Sequence, residues 1–171
     1  AITPADLAIL NGVVGTPGYN QTTFLTALPK AASLYQVLQS TTQARNDYNL
    51  LFGVTVPSSG SPSATVRTSL FDTTGDASYV QTDFLLVLTN AASLYRALQQ
   101  DSSARTAFNS IYGVSVPSSG SPNAATRTAI FNIAGDPNFN LQAFLQGLTG
   151  GLNLLSGLQS QTQVTNFNLL F

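Results

Sequence analysis

Ala31-Ala32-Ser33-Leu34-Tyr35, followed by Leu38, decides the fold, because it returns 60 residues later as Ala91-Ala92-Ser93-Leu94-Tyr95 followed by Leu98. The match extends outward without a gap: residues 31–69 and 91–129 agree at 22 of 39 positions. It takes in Val56-Pro57-Ser58-Ser59-Gly60-Ser61-Pro62 and its copy Val116-Pro117-Ser118-Ser119-Gly120-Ser121-Pro122. A weaker third copy begins near Phe139 and keeps Phe144, Leu145, Leu148, Leu154 and Leu158 in phase with Phe84, Leu85, Leu88, Leu94 and Leu98. A period of this length marks one supersecondary unit that buries its apolar face against a neighbouring copy.

Within one period the apolar spacing is helical. Phe24, Leu28, Ala31, Tyr35 and Leu38 fall three and four residues apart, with Leu25 and Leu34 broadening the face. Pro29, Thr89 and Thr149-Gly150-Gly151 share one phase in the middle of this helix, so a kink or a break into two shorter helices is expected. A further helix carries Ala44, Tyr48, Leu51 and Phe52, echoed by Ala104, Phe108, Ile111 and Tyr112, and by Phe167-Asn168-Leu169-Leu170-Phe171 in a third copy one residue shorter. Thr3-Pro4, Ser61-Pro62 and Ser121-Pro122 read as N-caps with proline at the first helical position. Gly15, Gly75 and Gly135 read as helix stops with positive φ. Valines ahead of Pro57 and Pro117 favour extended linkers or single edge strands. The fold class expected is all-α: three tandem helical repeats of about 60 residues joined by extended Val-x-Val-Pro linkers. The units run 1–53, 54–113 and 114–171 and together form one compact domain.

Composition narrows the function. Of the 171 residues 43% are hydrophobic, an ordinary share, but only 8% are charged, against about 25% in a typical domain. The surface is then Ser, Thr, Asn and Gln, and a net charge of −1 does little to keep molecules apart. Six basic residues without a cluster make nucleic acid a poor partner. The longest apolar run is Phe84-Leu85-Leu86-Val87-Leu88, too short to cross a membrane. Ala1 in place of Met is what removal of a signal peptide leaves, and with the uncharged polar surface it sets the expectation of an exported, extracellular protein.

The sequence holds no His, Cys or Glu, so Ser-His and Cys-His nucleophile pairs are out, and metal ligation falls to seven scattered aspartates. Asp72 and Asp76 could meet as a carboxylate pair, yet the next unit has Asn132 and Asp136 there. No catalytic, cofactor or metal residue is assigned. The few charges keep phase: Arg45 with Arg105, Arg67 with Arg127, and Asp76 with Asp136. The expectation is an ion cluster at each junction that pins one unit to the next, the alternative being an anion site between the arginines. Asn49, Asn109 and Asn168 recur in an aromatic-Asn-x-(Leu/Ile)-aromatic motif and read as side chains bonding backbone near a helix end. Asn20-Gln21-Thr22 matches the N-glycosylation acceptor pattern.

Phe167, Leu169, Leu170 and Phe171 fall where the next linker should start, while Ile2 and Leu7 lie where a unit's first helix begins. Joining the two nearly regenerates an internal junction, and a heterologous contact of that kind makes rings or filaments. The expected function is a non-enzymatic secreted structural protein that assembles head to tail into an extracellular filament, sheath or coat, with itself as partner. The alternative is a helical binding module for an apolar ligand or surface, resting on the leucine and aromatic stripes.

Overall fold

The computed structural model describes residues 3–158 and 161–170, with Gln161 known by its backbone alone. Among the described residues every regular element is a helix. In chain order these are α1 (Pro4–Val14), α2 (Gln21–Ser40), α3 (Thr42–Phe52), α4 (Ala64–Thr74), α5 (Gln81–Gln100), α6 (Ser102–Tyr112), α7 (Ala124–Ala134), α8 (Leu141–Gly157) and α9 (Gln161–Leu170). Among the described residues no helix is long and apolar enough to cross a membrane.

Side chains set the helix starts. Thr3 caps α1 and shares a capping box with Asp6, Asn20 caps α2, Asp101 caps α6, and Ser63 and Asn123 cap α4 and α7. The expected caps at Ser61 and Ser121 therefore lie two residues too early. Their prolines stay outside the helix, where the Pro62 carbonyl accepts a bond from Arg67 (3.0 Å). The three short helices start in one phase, so Leu10 stands where Leu70 and Ile130 stand.

Two further expectations are corrected. Of the kink or break expected in mid-helix, the break is absent: the long helix continues through Pro29 and Thr89, and through Gly150-Gly151. Proline removes only one N–H, and the bond it forgoes leads to the carbonyl of Leu25, a residue on the exposed side of the helix. Gly15, Gly75 and Gly135 are right-handed, with φ of −76°, −74° and −82°. Space favours glycine there, because a Cβ on Gly75 would lie 2.8 Å from the Phe71 carbonyl oxygen, and one on Gly135 or Gly15 would lie 3.0 or 3.1 Å from the carbonyl oxygen of Phe131 or Asn11. The left-handed helix stops are Gly53 and Gly113, at φ 65° and 64°.

Packing follows one rule. α2 packs on α3 and α4, α3 packs on α5, α5 packs on α6 and α7, and α6 packs on α8. Each long helix thus meets the short helix before the next long one, and the core runs through this chain of contacts. Leu34, Leu38, Tyr48, Leu51, Leu88, Leu94, Tyr95, Leu98, Phe108 and Ile130 lie fully buried in it, each apolar side chain contributing about 1.5–3 kcal/mol. The segments between α3 and α4 and between α6 and α7 carry no regular element, yet they are pinned. Val56 and Val116 are buried, and Tyr35 and Gln39 donate to the Gly60 carbonyl as Tyr95 and Gln99 do to Gly120.

Candidate functional site

The arginines and aspartates that keep phase do not meet as ion clusters. Arg45 donates to the carbonyls of Leu38 (3.4 Å) and Gln39 (2.8 Å), closing the end of α2, and Arg105 does the same to Leu98 and Gln99. Arg67 bonds Pro62, while Arg127 reaches the Leu51 carbonyl (3.4 Å) and stacks over the Phe52 ring at 4.8 Å. Asp76 accepts from the Ser78 N–H and hydroxyl, which hold its carboxyl below the usual range, and Asp136 accepts from the Asn138 N–H. Arg45, Arg105, Arg67, Asp76 and Asp136 are spent on groups near them in the chain, while Arg127 crosses to α3. A guanidinium satisfies helix-end carbonyls as well as it satisfies a carboxylate, so in-phase charges do not imply pairing.

The ion pair among the described residues lies elsewhere and does not recur. Arg96 on α5 meets Asp47 on α3 at 2.5 Å, with Gln43 also donating to the same carboxylate oxygen. Asp47 is fully buried and its other oxygen has no hydrogen-bond partner. The in-phase residues are Ala107 and Gln36, so repetition gave no signal for this pair.

Asn49 and Asn109 act as their motif suggests. Each accepts the N–H of the valine seven residues on, Val56 or Val116, at 2.9 Å, tying the helix end to the extended segment. Asn20 is exposed, with its side-chain oxygen engaged at the start of α2.

Two features remain as candidate sites. The first is an open cleft of about 890 Å³ between α4 and α7. Phe52, Phe84 and Phe131 lie within 5.9–6.3 Å of one another along it, and Tyr79, Asp72, Asp83 and Arg127 complete its walls. The Tyr79 hydroxyl is buried without a hydrogen-bond partner, and burial pushes it up to about 12. A smaller hollow of about 490 Å³ repeats the arrangement with Tyr112, Phe139 and Phe144.

The second is a pair of apolar faces. α1 and α9 take no part in the principal helix contacts. On α1, Leu10 is 45% exposed where Leu70 and Ile130 are buried, and Val14 is 58% exposed where Thr74 and Ala134 are buried. On α8, Leu154 is 54% exposed in the phase of the fully buried Leu34 and Leu94. Leu7, Leu169 and Leu170 of the expected assembly set are likewise exposed; Ile2 and Phe171 lie outside the described residues.

The chain matches no family model, no curated protein and no solved structure.

Proposed function

We propose that this chain is a non-enzymatic structural subunit of three tandem helical units, 1–53, 54–113 and 114–171, that associates head to tail with copies of itself. The extended Val-x-Val-Pro segments are its linkers, and the product is an extracellular filament, sheath or coat. One observation carries the reading: Leu10 and Val14 on α1 and Leu154 on α8 are exposed at positions whose counterparts are core. A face that is buried at each internal junction and bare on α1 and α8 is a contact site. The surface supports the same reading, because few charges oppose association. The test is light scattering of Leu154→Asp and Leu10→Asp against the parent chain. Association should fall at least tenfold in each, and unchanged association in both would remove the proposal.

The cleft lined by Phe52, Phe84 and Phe131 supports a second reading, a binding module for a ligand with an apolar face. Native mass spectrometry of gently extracted protein separates the two. A stoichiometric small molecule on a monomer favours binding, and a bare chain in growing oligomers favours assembly.

A further inference from the structure

We infer that the cleft between α4 and α7 takes a small amine with a flat aromatic body, its ring against Phe84 and Phe131 and its ammonium toward Asp72. This rests on the binding reading given second above and names the ligand's chemistry; it does not depend on association between copies. Two residues lining the cleft break rules of helix stability that the other units keep. Val80 stands at the N-cap of α5 with no side-chain bond to the helix, whereas Asn20 and Asn140, in the same phase, cap α2 and α8. Losing such a cap destabilises a helix, yet the valine found there is 52% exposed at the cleft. Asp72 lies in the last turn of α4, where the helix dipole disfavours a carboxylate. It makes no hydrogen bond or ion pair among the described residues, and Gly12 and Asn132 hold its phase without the charge. Local stability given up at two places around one cleft is the mark of a binding site.

The lining fixes the class of ligand. A volume of about 890 Å³ suits a small molecule. Phe52, Phe84 and Phe131 are half-buried at its edge. Arg127 already covers the face of Phe52, which leaves Phe84 and Phe131, stacked 6.0 Å apart, as the apolar wall. Three aspartates against Arg127 leave the lining two charges negative, in a chain whose net charge is −1. An anion is therefore opposed there and a cation drawn in. That cation is organic: no three acidic side chains among the described residues are placed to hold a metal ion, and an aromatic wall favours an ammonium carried on an apolar frame. Asp76 is engaged by Ser78, and Asp83 suits the first turn of α5, so Asp72 is the carboxylate left for the ligand.

Tryptamine is the probe, because the chain has no tryptophan and the indole's own fluorescence reports the complex. 3-Methylindole and indole-3-propionate carry the same ring without charge and with a negative one. Tryptamine should saturate at one per chain and bind about fivefold more tightly than 3-methylindole, a preference that shrinks as salt is raised. Indole-3-propionate should bind most weakly. Asp72→Asn, the residue found at 132, should remove most of the preference and leave 3-methylindole binding as it was. Val80→Asn should weaken every probe while raising the thermal midpoint, because the cap of α5 returns. Variants that move stability and leave affinity untouched would make both residues merely structural and overturn the site. Tryptamine bound no better than 3-methylindole overturns the amine while keeping an apolar site. Saturable binding of none of the three removes the binding reading itself.

Discussion

Asp47 shows at single-residue scale what a non-recurring contact costs. Its carboxylate is fully buried and leans on Arg96 and Gln43. Arg96→Ala should destabilise the chain by about 2–3 kcal/mol in urea unfolding, because a buried charge loses its partner. Adding Asp47→Ala should restore most of that, since Ala107 fills the same phase one unit on; no recovery would mean the pair is not the source of the loss. Tyr79→Phe removes a buried hydroxyl that has no partner and should raise stability by about 1 kcal/mol in the same assay. The roles of Asn49 and Asn109 were legible in the sequence because each repeats in a fixed motif. Asp47–Arg96 was not, because repetition marks only what every unit needs. Repetition also misled: Arg45 and Asp76 keep phase because each closes its own helix end or turn, with no contact between them required.

At the scale of elements, helix type was readable from apolar spacing, while Pro29 and Gly150-Gly151 suggested a break that does not occur, and ends depended on single backbone details. Ser63 rather than Ser61 caps α4, since sequence alone offers two hydroxyls within reach of one helix start. Gly113 ends α6 in the left-handed region with open space around it, so Gly113→Ala isolates conformational strain and should cost about 1 kcal/mol in thermal unfolding. A change near zero would show that the turn relaxes. Asp6 is the discordant residue of α1. It stands in the phase of buried Val66 and Thr126, and its carboxylate is tied to Thr3, whose backbone and side-chain bonds hold it below the usual range. Seating α1 against a second copy would strip water from that charge. Asp6→Thr, the residue found at 126, should therefore tighten association several-fold by light scattering. Weaker association with α1 still helical would place Asp6 outside the contact.

Over the whole molecule, contacts between helices near in the chain link α2 through α8, and the burial pattern predicts how the fold fails in alkali. Burial pushes Tyr79 and Tyr95 up to about 12, while the unfolded chain ionises its tyrosines near 10. Their raised values favour the folded state fully below pH 10, and that contribution is lost as pH rises from 10 to 12. Unfolding midpoints should fall across that window, and Tyr95→Phe should flatten the fall; an unchanged slope would assign it to other groups. Mass against concentration tests the central claim most directly, measured by light scattering of the purified chain with negative-stain images of the same samples. Head-to-tail association predicts a mass that climbs with concentration through successive multiples of one chain, with particles growing along one axis or closing into rings. A mass fixed at one chain across the whole range would contradict it.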